Sequence, residues 1–153
     1  MKTILSRSKQ EQFLNENWRL KTLEFKWGKT GCHNVSLLDK RDNKIGYAGG
    51  YGYDKKGSAF GQFLNTYFND ELKKINSSDY YGLYHYNKTT KKYQKFASKN
   101  TKTYVDGACG FDCMTRILNK IGFSVSFVKE SKWTSLYILE ALPKNHYSRK
   151  NNK

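Results

Sequence analysis

Apolar positions along the chain form two helical stripes set among stretches that alternate. Phe60, Phe63, Leu64, Tyr67, Phe68, Leu72 and Ile75 stand at offsets of 0, 3, 4, 7, 8, 12 and 15, the spacing of one helix face. Met114, Ile117, Leu118 and Ile121 make a second, shorter stripe, with Gly122 placed as its C-terminal stop. Each stripe follows a glycine-rich turn, Gly49-Gly50-Tyr51-Gly52 in one case and Gly107-Ala108-Cys109-Gly110 in the other. Gly52-Tyr53-Asp54 aligns with Gly110-Phe111-Asp112, 58 residues further on (110 − 52), and each Asp stands where an N-cap belongs.

The remaining periodicity is that of strands. Trp18 to Trp27 reads as a strand, but Trp18 and Leu20 share one parity while Leu23, Phe25 and Trp27 share the other. The break predicts a bulge near Lys21-Thr22 or a later start. Lys29-Thr30-Gly31 is a turn, Val35 and Leu37 mark a second strand, Asp39 to Asn43 a polar turn, and Lys44 to Tyr47 a third strand. Tyr80–Tyr86 and Lys91–Phe96 flank Asn87-Lys88-Thr89-Thr90 as a hairpin. Phe123, Val125 and Phe127 alternate as a strand, and Tyr137-Ile138-Leu139 lies in another. The order ββ(β)-α-ββ-α-ββ predicts an α+β fold, an antiparallel or mixed sheet with two helices packed on one face. Residues 1–17 read as a flexible basic arm, 18–142 as a single domain and 143–153 as a basic tail.

Charge changes this picture more than size does. The formal net charge of +15 favours polyanionic partners such as nucleic acid, a ribonucleoprotein or an anionic surface, although a lysine-rich solvated exterior gives the same number. Polar Ser6-Arg7-Ser8-Lys9 follows at once on Met1-Lys2-Thr3-Ile4-Leu5, so no signal peptide is expected, and no apolar run is long enough for a membrane span. Three cysteines is an odd count, which fits a cytosolic protein with reduced thiols.

Three stretches could carry chemistry. From Tyr80 to Val105 there are six lysines and no acidic residue, interleaved with tyrosines. Lys88, Lys91, Lys92 and Lys95 suit a phosphate backbone, and Tyr84, Tyr86 and Tyr93 offer flat rings for stacking of RNA or DNA bases. The competing account packs those tyrosines under a helix and uses the lysines to guard an edge strand. Gly52 with Lys55 and Lys56 forms a candidate anion-binding turn at a helix start, without the spacing of a phosphate loop; a sharp strand-to-helix corner explains the same glycines. Cys109, at the start of the second helix, is a candidate nucleophile. Cys109 and Cys113 with distant Cys32-His33 complete no tetrahedral metal set, so no metal or other cofactor is expected, and His33, His85 and His146 show no pairing pattern.

Two resemblances extend these readings. Gly107 to Met114, leading on to Ile117-Leu118-Asn119, resembles the nucleophile helix of papain-like peptidases that trim leader peptides, which implies Cys109 as nucleophile. The upstream glutamine of that pattern is missing, and the downstream histidine would have to be His146. Ile45 to Lys56, with Ala59 and Leu64-Asn65, and Gly107 to Gly122, with Leu136 to Leu139, are similar to a family of small proteins of phages and prophages of Gram-positive bacteria. That likeness implies an accessory protein of the bacterial host cytoplasm. The expectation is non-catalytic binding of RNA, DNA or a host ribonucleoprotein such as a CRISPR nuclease, with inhibition of host defence as the result. A cysteine hydrolase using Cys109 and a purely protein-protein inhibitor stand as the alternatives.

Overall fold

Helix α2 (Lys55–Tyr67) carries the longer apolar stripe, and two antiparallel sheets meet along it. The computed structural model describes residues 2–28, 34–50 and 54–143. In chain order the other elements are α1 (Arg7–Glu16), β1 (Thr22–Trp27), β2 (Val35–Leu38), β3 (Lys44–Ala48), α3 (Asn69–Leu72), β4 (Leu83–Asn87), β5 (Lys92–Gln94), β6 (Thr101–Val105), α4 (Phe111–Ile121), β7 (Phe123–Glu130) and β8 (Thr134–Ala141). The larger sheet runs β3-β2-β1-β8-β7 and the smaller β5-β4-β6, with every pairing antiparallel. This is the expected α+β class, built on two sheets instead of one.

Strand alternation decides what the larger sheet buries. Leu23 and Phe25 of β1, Val35 and Leu37 of β2, Tyr137 and Leu139 of β8 and Phe123 of β7 turn inward onto α2 and α4, which lie on that one face. Phe25, Phe60, Phe63, Phe68 and Phe123 are fully buried, and the rings of Phe25, Phe60 and Phe111 meet with centroids 5.2 to 6.1 Å apart. Removing one such ring leaves a void the rigid surroundings cannot fill.

Two expectations are corrected here, and one choice between alternatives is decided. Arg7–Glu16, expected as a loose arm, is a helix capped by Ser6 and tied to the body. Its only apolar residues, Phe13 and Leu14, suffice: Leu14 is buried, and the Phe13 ring lies tilted 4.9 Å from Phe68 and 5.4 Å from Phe123. Ile4 and Leu5 donate main-chain hydrogen bonds to Lys120 and Ile121 at the end of α4, both 2.9 Å. Trp18–Lys21 is a 3₁₀ turn, and β1 starts at Thr22, which removes the parity conflict without a bulge. The hairpin gains a third strand, β6, whose polar sequence hid it.

The start of α2 packs on the glycine turn that leads into α4. Asp54 Oδ1 accepts the Gly57 N–H at 3.0 Å, capping α2, while its Oδ2 accepts the Phe111 N–H at 2.6 Å at the start of α4. A Cβ on Gly57 would lie 2.6 Å from the Gly107 carbonyl oxygen, and one on Gly107 would collide with the Ser58 Cα. Glycine at both positions is therefore what lets the segments touch. Further along α2, side-chain amides bind both sheets. Gln62 exchanges two hydrogen bonds with the Tyr47 main chain of β3, and Asn65 does the same with Val105 of β6. Asn69 adds a bond to the Thr103 carbonyl, so the free edge of β6 is covered by asparagines in place of a fourth strand.

Candidate nucleic-acid interface

The smaller sheet has one dry face and one wet one. On the dry face Leu83 and Val105 join the core, and His85 is fully buried, its Nδ1 2.8 Å from Thr103 Oγ1 and its Nε2 2.8 Å from the Ile75 carbonyl oxygen. Both ring nitrogens are engaged, so this histidine fastens the sheet to the segment that follows α3. Alternation then turns Tyr84 and Tyr86 outward, and the register sets Tyr93 opposite Tyr86 and Tyr104 opposite Tyr84.

These four rings form one cluster on the solvent face. Tyr84 lies 5.5 Å from Tyr93 and 5.4 Å from Tyr104, stacked on the latter at 30°, and Tyr86 lies 5.1 Å from Tyr93. The Tyr93 and Tyr104 hydroxyls are 3.4 Å apart. Tyr93 is 62% exposed, so the cluster is open to a ligand. The hydrogen bond with Tyr93, aided by burial and the neighbouring charges, pushes the Tyr104 phenol up to about 12. Burial, with Asp106 nearby, raises that of Tyr84.

The sequence brought Tyr84, Tyr86 and Tyr93 into the site, and the structure brings them together. It adds two residues that sequence reasoning missed. Tyr104 completes the cluster, and Lys102, opposite Tyr86 on β6, places its ammonium 5.7 Å from the Tyr104 ring. The one available signal was the alternation of Thr103 and Val105 around Tyr104. Lys88 and Lys91 stand in the β4–β5 turn, which is held by Asn87 Oδ1 accepting from the N–H groups of Thr89 and Thr90 at 2.9 and 3.0 Å. Lys91 adopts a left-handed φ of 59° there. Lys95 follows β5 and is exposed. Lys92 is a correction: it pairs with Asn87 and shares the parity of His85 and Gln94, and so belongs to the face away from the rings. Among the described residues no carboxylate comes within ion-pair distance of any lysine between Tyr80 and Val105.

The other two candidates fare differently. Gly52 lies outside the described residues, as do Cys32, His33 and His146. Lys56 turns back onto the protein: its ammonium donates to the Tyr137 hydroxyl at 3.0 Å, sits 3.9 Å from Glu130, and lies within 6.0 Å of the Phe25, Phe111 and Tyr137 ring centres. Its charge is answered internally. Lys55 is buried, and its ammonium has no hydrogen-bond partner among the described residues. Cys109 stands in the 3₁₀ turn Gly107–Cys109, separated from α4 by Gly110. Burial, the hydrogen bond with Cys113 and the nearby Asp106 push its thiol up to about 12, opposite to what a thiolate nucleophile needs. Among the described residues no three His, Cys, Asp or Glu side chains are placed to hold a metal, and no helix is long and apolar enough to cross a membrane.

Comparison with family models, with curated proteins and with solved structures brings out no significant match.

Proposed function

We propose that this chain binds single-stranded or looped nucleic acid on the tyrosine face of the β5-β4-β6 sheet, without catalysis. The observation that carries the proposal is the four-ring cluster of Tyr84, Tyr86, Tyr93 and Tyr104 at the surface, rimmed by lysines that have no carboxylate partner among the described residues. Bases stack on such rings irrespective of sequence, each worth ~1–3 kcal/mol, while the ammonium groups follow the phosphates. Lys102, beside the Tyr104 ring, supplies that charge together with Lys88 and Lys91 of the β4–β5 turn and Lys95 after β5. The likeness to phage accessory proteins favours a target in the bacterial host cytoplasm, either free RNA or DNA or a ribonucleoprotein such as a CRISPR nuclease, with inhibition following from occupancy. The raised Cys109 thiol speaks against the hydrolase alternative.

Fluorescence anisotropy with labelled single-stranded RNA and DNA tests this reading. Binding should weaken steeply with salt and be lost in Y84A/Y86A. No binding at low salt, or unchanged affinity in that variant, would remove the tyrosine face from consideration. Capture from a host lysate before and after nuclease treatment separates a nucleic-acid target from a purely protein one.

A further inference from the structure

A second basic and aromatic surface lies away from the tyrosine cluster, where the turn after α1 meets the β2–β3 turn. Trp18, 38% exposed, is approached by three cations: the guanidinium carbons of Arg19 and Arg41 lie 5.1 and 4.9 Å from its ring centroid, and the Lys40 ammonium 5.5 Å. Only five of the chain's 28 basic residues are arginine (Arg7, Arg19, Arg41, Arg116 and Arg149), and two of them meet at this one ring. Guanidinium is the side chain whose planar fork matches a phosphate with two parallel hydrogen bonds.

The local backbone fixes the group from beneath. The Lys40 N–H donates to the Arg19 carbonyl at 2.9 Å, joining the two segments. Asp39 is buried beside Trp18 and Arg19, its carboxylate accepting the N–H groups of Arg41 and Asn43 at 2.9 and 3.0 Å and the Asn43 side-chain amide at 3.2 Å. That carboxylate is spent on holding the turn. Glu16 lines a cavity of about 100 Å³ beside Trp18 and Arg19, yet it hydrogen-bonds to Gln12 at 2.9 Å and makes no ion pair among the described residues. Among the described residues none of Arg19, Lys40 and Arg41 has a salt-bridge partner. Three like charges converge on one ring, and no ion pair among those residues neutralises them. The ring's π face attracts each cation without neutralising it, and Arg19 shares part of its field with the Asp39 carboxylate.

We propose that Trp18, Arg19, Lys40 and Arg41 form a second contact for the phosphate backbone of the nucleic-acid strand, distinct from the base-stacking tyrosines. This inference rests on the function proposed above. The tyrosine face stacks bases, and the Trp18 patch grips phosphates without reading them. Lys44, whose ammonium lies 4.9 Å from the Tyr47 ring on the adjoining edge strand, continues the same kind of surface.

A W27F/W133F chain, which leaves Trp18 as the sole indole, is titrated with single-stranded RNA and DNA while emission and anisotropy are read together. Trp18 emission should change along with binding. In R19Q/R41Q the plot of log affinity against log salt should flatten by roughly one to two units while stacking on the tyrosines persists. R19K/R41K should retain most of the slope, and circular dichroism checks that each variant is folded. Intact binding with an unchanged Trp18 signal and an unaltered slope in R19Q/R41Q would overturn the patch alone. Absence of any oligonucleotide binding by the natural chain would overturn the patch and the tyrosine reading together.

Discussion

Two aromatic clusters divide this molecule. Inside, Phe25, Phe60, Phe63, Phe68, Phe111 and Phe123 meet at centroid distances of 5.2 to 6.1 Å between the larger sheet and its helices. Outside, Tyr84, Tyr86, Tyr93 and Tyr104 meet at 5.1 to 5.5 Å on the smaller sheet. The ring spacing is nearly the same, but the work differs. A phenylalanine has no polar atom to satisfy, so it can be sealed away; a phenol can keep its hydroxyl in water and leave its face for a ligand. Ring contact alone therefore does not identify a core. What separates the clusters is which side of a sheet the rings occupy; Tyr137, a tyrosine buried among the inner rings, has its hydroxyl met by the Lys56 ammonium.

The largest effect should come from the interior. Phe60→Ala should cost about 3–5 kcal/mol of stability, read by urea denaturation. Tyr93→Ala, taken from the outer cluster, should cost less than about 1 kcal/mol. Equal losses would erase the distinction between the two. Next, Tyr84→Ala should weaken oligonucleotide binding by ~1–3 kcal/mol with the melting temperature nearly unchanged, whereas Tyr84→Phe should bind almost as the natural chain does.

Extremes of pH separate the clusters further, because phenylalanine does not titrate. The Tyr104 phenol is raised in the folded protein from an ordinary value of 10.0 to about 12. Its contribution to stability is thus complete below pH 10 and lost as the pH rises toward 12, so alkali should loosen the tyrosine face before the phenylalanine core. Hydrogen exchange at the β4 and β6 amides checks this. At the acid end, burial pushes the Asp39 carboxyl up, but hydrogen bonds from Asn43 and Arg41 and the charge of Arg19 outweigh it and leave the value below 3.8. That stabilisation is full above pH 3.8 and fades as the pH falls through the folded-state value, so Trp18 emission should change in acid before core unfolding. The smallest effect is spectroscopic. Tyr93→Phe removes the hydroxyl contact, and the Tyr104 phenol should then ionise closer to 10.0 in an ultraviolet titration.

Much of the framework was legible along the chain. The stripe from Phe60 to Ile75 reads as one helix and announces α2, because a wide apolar face repeats at helical spacing, but the helix breaks at Phe68, resumes as the short α3 and leaves Ile75 beyond it. Met114 to Ile121 announces α4 for the same reason. The lysine and tyrosine ribbon was legible as chemistry, since residues 80–105 carry no acid at all. Other elements were not legible. Helix α1 has two apolar residues in ten and is held by Phe68, Phe123 and the end of α4, contacts from far along the chain. Strand β6 is polar because Asn65 and Asn69 cover its edge and only Thr103 and Val105 face inward.

Residue type and spacing were enough to set the helical stripes, the cationic charge and the choice of tyrosine over phenylalanine in the ribbon. Folding had to decide that Tyr104 joins Tyr84, that Lys56 is turned onto Tyr137 and Glu130, and that three cations gather on Trp18. Each of those depends on which distant backbone segments are held side by side, and that is a matter of packing and register, which no local pattern encodes.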